Sequence, residues 1–188
     1  MDIRSCKNEL REYFSKKRKS LSSSKKELLD GKISDRLLSM SVFKSSNQIL
    51  LYSSTDDEIS TDIIFHYSLE TGKACYFPKC FENKKMSFYR VFGSDELIPE
   101  AFNIKAPKYE NEVYTPMPSD IIIVPAMSYD KKGYRLGYGK GYYDRFLPDF
   151  MGTKIGLCYS DFLSDSLPIG RFDIAVDIII TETNYFCL

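Results

Sequence analysis

Short apolar runs, bounded by polar and turn-forming residues, recur along the chain. They are QILLY (48–52), ACYFP (74–78), MSFYRV (86–91), DIIIVPA (120–126), KIGLCY (154–159) and DIIIT (177–181). The runs near residues 120, 154 and 177 lack the alternation of apolar and polar positions found in half-exposed strands. This pattern is typical of parallel strands covered on both faces. The runs therefore predict the buried strands of a central sheet.

The segments between these runs predict helices and loops. Residues 2–19 form a basic helix, and SKKE at 24–27 has the spacing of a capping box for a second helix. The apolar face of that helix consists of Leu28, Leu29, Ile33, Leu37 and Leu38. Another helix is expected to end at Gly72, and YYDRFL (142–147) forms a short helix that Pro148 ends. The proline-rich residues 93–118 predict a long irregular excursion.

Strands separated by helices predict a three-layer, Rossmann-like α/β sandwich with a mostly parallel central sheet. The 188 residues fit a single domain, 1–188. In such sheets ligands bind beyond the carboxyl ends of the strands. Residues 133–147, GYRLGYGKGYYDRFL, follow the 120–126 run after a short segment. We therefore expect this glycine stretch to lie at the ligand-binding edge.

The composition narrows the possible functions. Apolar residues make up 43% of the chain, and 26 basic residues balance 26 acidic ones, which predicts a soluble globular protein without general affinity for nucleic acid. The N-terminal residues lack an apolar signal core, and no apolar run is long enough to span a bilayer. The odd number of cysteines, five, without a CxxC pair, indicates free thiols in a reducing compartment. We expect a cytoplasmic monomer without membrane or nucleic-acid partners.

The only histidine, His66, is expected on the surface of a helix. Ser-His-Asp and Cys-His mechanisms need a histidine base. Catalysis is therefore expected to depend on carboxylates, cations and a metal ion.

The glycine stretch matches neither standard phosphate-binding motif. Tyr134 stands where the Walker pattern needs glycine, and Gly141 follows Gly139 too closely for the dinucleotide pattern. Glycines still allow backbone N–H groups to surround an anion. Arg135 and Lys140 would add positive charge there. The residues alone leave a tyrosine-rich surface turn as the alternative.

Carboxylates and cations elsewhere suggest further parts of a site. Asp144 would repel a bare phosphate, which indicates an intervening Mg²⁺. Asp173 or Asp177 could complete that metal site. The acidic segment 56–62 could accept hydrogen bonds from an amino-substituted ring, or it could cap the next helix.

Three basic residues of the first helix, Lys7, Arg11 and Arg18, fall within about 40° of one stripe at 3.6 residues per turn. The stripe could clamp a triphosphate or form a solvated face. An enzyme acting on a sugar phosphate and a non-catalytic nucleotide- or RNA-binding module remain alternatives at this point.

The motif VPAMSYDKKGYRLGYGKGYYDRFL (124–147) closely resembles the signature of the 5-formyltetrahydrofolate cyclo-ligase family, also called 5,10-methenyltetrahydrofolate synthetases. KNELR (7–11), STDDEISTD (54–62) and the C-terminal residues 154–181 resemble other parts of that family in the same order. The resemblance implies a Rossmann-like α/β sandwich. It also implies an enzyme that uses ATP as co-substrate and Mg²⁺ to convert 5-formyltetrahydrofolate to 5,10-methenyltetrahydrofolate. ADP and phosphate are released after phosphorylation of the formyl oxygen and ring closure.

The resemblance also implies roles for individual residues. The catalytic residues would be Arg135, Lys140 and Tyr143. ATP would contact Lys7, Arg11, Arg135, Leu136, Gly137, Tyr138, Gly139, Lys140, Gly141, Tyr142 and Tyr143. The folate substrate would contact Ser53, Glu58, Tyr138, Gly139, Lys140, Gly141 and Tyr142. Asp144 and Asp173 would bind the metal, with Asp177 as the alternative second ligand; Phe172 stands where the family usually has histidine.

Overall fold

A seven-stranded sheet forms the centre of the protein in this computed structural model, which describes residues 2–82, 84–100, 104–108 and 112–188. The strands are β1 (Gln48–Leu50), β2 (Ala74–Cys80), β3 (Met86–Arg90), β4 (Leu97–Pro99), β5 (Lys105–Pro107), β6 (Ile121–Val124), β7 (Ser128–Asp130), β8 (Arg135–Leu136), β9 (Thr153–Leu157), β10 (Leu163–Ser164), β11 (Ile178–Ile180) and β12 (Tyr185–Cys187). Every apolar run singled out in the sequence overlaps one of the sheet's strands.

The sheet has the strand order β12-β11-β9-β6-β1-β2-β3. Its five inner strands pair in parallel, and β3 and β12 are antiparallel edges. The inner strands β6 and β11 are buried along their whole length, as their lack of alternation predicts. The prediction of a mostly parallel α/β sheet is confirmed.

The helices are α1 (Ile3–Lys19), α2 (Ser23–Ser39), α3 (Ser41–Ser45), α4 (Asp62–Glu70) and α5 (Tyr142–Phe146). The predicted capping box at residue 24 is wrong, because α2 begins at Ser23 and its N-cap is Ser22. The extended backbone at Ser22 lets its hydroxyl accept a hydrogen bond from the Lys25 amide at 3.3 Å. Pro148 follows α5 in a 3₁₀ turn, so the predicted end of that helix is confirmed.

The predicted irregular excursion at 93–118 is partly wrong. β4 and β5 form a two-stranded antiparallel sheet within it, and Tyr89 bridges to Val113. Pro99 and Pro107 each lie at the end of one of these short strands, where a proline removes little of the hydrogen-bond ladder. Residues 101–103 and 109–111 of this segment lie outside the described part.

The direction of strand succession reverses between β1 and β6. The chain moves from β1 to β2 on one side, whereas β6 is followed by β9 and β11 on the other. The loops that leave β1 and β6 therefore diverge and open a crevice at the carboxyl edge of the sheet. A small sheet of order β10-β7-β8 lies beyond β6 and contains the start of the glycine stretch.

Two further sequence predictions can be compared with the structure. All five cysteines are free, as predicted. Among the described residues, none of the helices combines the length and apolarity that a bilayer crossing requires.

Candidate active site

The glycine stretch includes β8 and α5 and packs against α1. Gly139 and Gly141 have φ angles of +89° and +70°, a region that L residues with side chains rarely adopt. The Arg11 Nε donates a hydrogen bond to the Gly137 carbonyl at 2.8 Å. A Cβ at Gly139 would lie 3.3 Å from the Arg11 guanidinium carbon. Arg11 of the basic stripe therefore faces the glycine stretch, as the clamp hypothesis requires.

Lys7, also on this stripe, forms an ion pair with Asp173. The Asp173 carboxylate also accepts a hydrogen bond from the Gly170 amide at 2.8 Å. Partial burial lowers the pKa of Arg11, while the negative charge of Asp173 opposes that shift. The structure thus joins a predicted phosphate ligand to a predicted metal ligand that is 166 residues away in sequence.

Arg135 and Asp144 form a second ion pair of the same kind. Arg135 Nη2 donates to Asp144 Oδ1 at 2.6 Å, and Nη1 donates to the Ile174 carbonyl at 3.0 Å. Arg135 is only 7% exposed. Its guanidinium therefore ties α5 to the segment that follows Asp173. Each of the two predicted metal-binding carboxylates is held by a predicted phosphate-binding cation.

Glu58 lies at the carboxyl edge of β1 and is 8% exposed. Its Oε2 accepts hydrogen bonds from the Thr55 amide at 2.9 Å and the Thr55 hydroxyl at 3.1 Å. Ser53, the other predicted folate ligand in this loop, is half-buried. The loop thus turns back on itself and holds a buried carboxylate at the mouth of the crevice.

The charge of Glu58 acts on three tyrosines. Burial first, and the Glu58 charge second, raise the pKa values of Tyr52, Tyr138 and Tyr143 well above the ordinary phenol value. Tyr52 donates to the Ile59 carbonyl at 2.7 Å, whereas the buried Tyr143 hydroxyl has no hydrogen-bond partner within the described residues. Tyr138 is 47% exposed. The phenols of the glycine stretch therefore remain protonated near a buried carboxylate.

Other predicted site residues are placed differently. The Leu136 side chain packs in the core, and its carbonyl accepts from the Met127 amide at 2.8 Å. Lys140 is exposed and Tyr142 half-buried. The side chain of Arg145 contacts both, donating to the Lys140 carbonyl at 3.1 Å and lying 5.5 Å from the Tyr142 ring centroid.

Asp177 does not join this site. Its carboxylate accepts from the Lys154 amide at 2.7 Å and pairs with the Lys154 ammonium at 3.0 Å, at the amino ends of β9 and β11. Glu58 follows the carboxyl end of β1, whereas the start of the glycine stretch lies beside Asp177, because the Val176 amide donates to the Gly133 carbonyl at 3.0 Å. The engagement of Asp177 with Lys154 favours Asp173 as the second metal ligand.

Asp144 and Asp173 suit Mg²⁺ chemically, because that ion prefers oxygen ligands and commonly uses one or two carboxylates together with substrate phosphates. Across the described ranges, no group of three or more His, Cys, Asp or Glu side chains is arranged to hold a metal ion. The donor set therefore fits Mg²⁺ that arrives with a nucleotide better than a metal site made by the protein alone.

Sequence reasoning missed the role of Arg18 in this region. It was noted only as the third member of the basic stripe, but its side chain is buried and reaches the loops after both β1 and β6. Its spacing of seven residues from Arg11 was the available signal. Burial could not be inferred from that spacing.

Comparison with known proteins places this geometry in a family. The model of the 5-formyltetrahydrofolate cyclo-ligase family matches residues 3–182. A mouse 5-formyltetrahydrofolate cyclo-ligase is 26% identical over 193 residues, covering 96% of this chain and 95% of the mouse protein. A 5,10-methenyltetrahydrofolate synthetase from Aquifex aeolicus, solved by NMR, has a TM-score of 0.85 and 38% identity, covering 96% of this chain and 92% of that one.

The enzyme of the same name from Mycoplasma pneumoniae has a TM-score of 0.76 and 28% identity, covering 94% of this chain and 98% of that one. The family match spans nearly the whole chain, and the fold agrees with that of the two solved relatives. The predictions of the fold class and of an enzyme of the ligase class are confirmed. The chain belongs to the 5-formyltetrahydrofolate cyclo-ligase family.

Proposed function

We propose that this protein converts 5-formyltetrahydrofolate to 5,10-methenyltetrahydrofolate, with ATP as co-substrate and Mg²⁺ as cofactor. One observation carries the proposal further than any other. A glycine stretch backed by Arg11 and a buried Glu58 meet at the reversal of strand order, with tyrosines of that stretch close to the carboxylate. This arrangement can hold an anionic phosphate chain and a hydrogen-bonding ring system next to each other.

The nucleotide half of the site consists of Lys7, Arg11, Arg135, Asp144, Asp173 and the glycine stretch. Binding of the strongly anionic phosphate chain would draw Lys7 away from Asp173 and Arg135 away from Asp144. Mg²⁺, when bound by these carboxylates together with phosphate oxygens, would neutralise charge on the transferred phosphoryl group. Each cation and each carboxylate would thus exchange one partner for another.

The folate half consists of Glu58, Tyr52, Tyr138 and Tyr143, with Ser53 beside them. Glu58 would accept hydrogen bonds from the amino-substituted ring of the folate. The protonated phenols of Tyr138 and Tyr143 can donate to oxygen, and the buried Tyr143 hydroxyl has no other partner among the described residues. These donors would orient the formyl oxygen towards the phosphate chain.

The reaction then follows in two steps. The formyl oxygen attacks the terminal phosphorus of ATP, and the bond between that phosphorus and the ADP oxygen breaks. The second folate nitrogen attacks the formyl carbon and loses its proton, and the bond from that carbon to the phosphate oxygen breaks. Phosphoryl transfer depends more on positioning and charge neutralisation than on a base, so the absence of a second histidine in the sequence is no obstacle.

The experiment is an absorbance assay for the methenyl product. Purified protein with 5-formyltetrahydrofolate, ATP and Mg²⁺ should form the chromophore, and omission of ATP should abolish it. No chromophore under the complete conditions would refute the proposed reaction. Formation at the same rate without ATP would refute the role of the nucleotide half.

A further inference from the structure

Arg18, near the end of α1, connects two turns that are far apart in sequence. Its Nη1 donates to the Asp57 carbonyl at 2.7 Å, and its Nη2 donates to the carbonyls of Ala126 at 2.6 Å and Met127 at 3.2 Å. The first turn follows β1 and the others follow β6, the two strands at which the strand order reverses. One guanidinium group therefore spans the crevice that the diverging loops open.

Each of these turns leads directly to one half of the proposed site. Asp57 precedes Glu58, the carboxylate of the folate half. The Met127 amide donates to the Leu136 carbonyl at 2.8 Å, in the hairpin from which the glycine stretch leaves. A shift of Arg18 would therefore change the separation between the folate half and the nucleotide half.

Packing alone does not account for an arginine at this position. Arg18 is 6% exposed, it forms no ion pair among the described residues, and its Nε has no hydrogen-bond partner there. Burying a cation without a carboxylate is costly, so stability alone does not explain this residue. What only an arginine supplies here is a planar group that holds three carbonyl oxygens of two separate turns at once.

The charge of Arg18 also reaches the folate half. It lowers the pKa values of Tyr52 and Tyr138, the same phenols whose pKa values Glu58 raises. The Arg18 guanidinium and the Glu58 carboxylate therefore both act on these phenols, with opposite effects on their pKa values. Together with the bond to the Asp57 carbonyl, this links Arg18 to the folate half.

We infer that Arg18 is a positioning residue that fixes the separation between the folate half and the nucleotide half. The inference rests on the proposed function. Transfer between two bound substrates requires the reacting atoms to be aligned, and a displacement of about 1 Å can cost about 100-fold in rate. Arg18 contributes by holding the two turns, and it touches neither substrate.

Arg36 provides a matched control. Like Arg18, it extends from a helix to backbone carbonyls after a strand, donating from Nε to Thr181 at 3.0 Å and from Nη2 to Glu182 at 3.3 Å. Those carbonyls follow β11, away from the reversal between β1 and β6. Loss of these bonds should affect stability without changing the alignment of the substrates.

The test compares Arg18→Lys with Arg36→Lys in the full chain. Calorimetry measures the binding of ATP alone and of 5-formyltetrahydrofolate alone, thermal unfolding gives Tm, and the chromophore assay gives kcat and KM. Lysine keeps the charge but cannot hold three carbonyls with one planar group. We expect Arg18→Lys to lower kcat about 10- to 100-fold while each Kd changes less than about 3-fold, and Arg36→Lys to leave kcat unchanged.

An unchanged kcat in Arg18→Lys would overturn the inference, as would a loss no larger than in Arg36→Lys at equal Tm. Parallel weakening of both Kd values with kcat unchanged would instead make Arg18 a binding residue. If the wild-type protein forms no chromophore, the proposed function itself fails, and this outcome is distinct from the others.

Hydrogen exchange of the wild-type protein tests the inference even if Arg18→Lys does not fold. Binding of 5-formyltetrahydrofolate alone should slow exchange at residues 126–128 as well as at 55–58, because Arg18 joins the two turns. Protection confined to 55–58 would show that the turns are not coupled and would overturn the inference.

Discussion

Charges in the two halves of the proposed site are satisfied in opposite ways. In the nucleotide half, Lys7 pairs with Asp173 and Arg135 with Asp144, so that cations and carboxylates neutralise one another. In the folate half, the buried Glu58 accepts hydrogen bonds from Thr55 and has no cation partner among the described residues. The nucleotide half must therefore exchange partners when its ligand binds, whereas the folate half is already arranged to receive its ligand.

This difference has a thermodynamic consequence. ATP without metal would separate Lys7 from Asp173 and leave the carboxylate beside the phosphates, and metal without ATP would leave the lysine unpaired. Metal and nucleotide should therefore strengthen each other's binding at this half, which is a positive coupling between two ligands. Folate binding should show no such requirement.

The largest effect is expected from Asp144→Asn. Removal of the charge should lower kcat by about 100-fold or more, the range seen when one electrostatic contact to developing charge is lost. Stability should fall less, because Arg135 keeps its bond to the Ile174 carbonyl at 3.0 Å. Steady-state assays over a range of Mg²⁺ concentrations, with Tm as the control, measure both effects. If Asp144→Asn has the activity and the Mg²⁺ dependence of the wild type, Asp144 does not bind the metal.

Glu58→Gln should act on the other half alone. The amide has the same shape as the carboxylate but carries no charge. The Kd for 5-formyltetrahydrofolate should therefore rise about 10- to 100-fold, which corresponds to the free energy that hydrogen bonds to a charged group contribute. The Kd for ATP should stay constant. Glu112→Gln, at a surface ion pair with Arg90, is the control. If Glu58→Gln weakens ATP and folate equally, the division into two halves is wrong.

Lys7→Ala should weaken ATP binding about 10-fold, the effect of losing one charge-assisted contact to phosphate. It should also free Asp173, so that Mn²⁺, used as a probe without nucleotide, binds more tightly than to the wild type. Lys131→Ala, at an exposed pair with Asp165, should change neither value. Weaker Mn²⁺ binding by Lys7→Ala would contradict the exchange of partners.

Gly139→Ala should have a smaller effect on ATP affinity, severalfold at most. A Cβ would strain the backbone at φ +89° by about 1–3 kcal/mol and would press on the Arg11 guanidinium. Gly31→Ala is the control, since a Cβ there meets no atom within 4 Å and alanine favours a helix by about 1 kcal/mol. Identical ATP affinities in the two variants would show that Arg11 does not depend on the shape of the glycine stretch.

The smallest change concerns the phenols of the folate half. Because burial and Glu58 raise the pKa values of Tyr138 and Tyr143, both should stay protonated as the pH rises through 10, where free tyrosine ionises. Since the folded pKa values lie above the unfolded ones, their contribution to stability should be complete below pH 10 and decline above it. Absorbance titration of the folded protein measures this, and Glu58→Gln should move these ionisations to lower pH. If the ionisations stay at the same pH in Glu58→Gln, the Glu58 charge does not raise the pKa values of these tyrosines.

The buried strands were the part of the fold most open to prediction. Apolar runs without alternation become parallel inner strands because both faces of the sheet are covered. The two-residue strands β8 and β10 were missed, because so short a segment carries no periodicity. The edge strand β12 was also missed although its three residues are apolar, because so short a run shows no period and its residues are exposed. The cap of α2 was misplaced within a run of serines, where composition cannot select one residue.

Residue types in the site could be predicted from the sequence, but their partners could not. Lys7 and Asp173 are 166 residues apart, and only the topology of the sheet brings them together. Arg135 was predicted to contact ATP and Asp144 to bind the metal, so the ion pair between them was not expected. The burial of Arg18 depends on the loops after β1 and β6, whose courses are set by tertiary packing.

An isotope experiment tests the central claim, that the two halves bring the formyl oxygen to the terminal phosphate of ATP. The wild-type enzyme would be supplied with 5-formyltetrahydrofolate carrying ¹⁸O in its formyl group, together with ATP and Mg²⁺. If the formyl oxygen attacks phosphorus, the label must appear in the released phosphate, in equal amount to the methenyl product. Methenyl product accompanied by unlabelled phosphate would contradict the account.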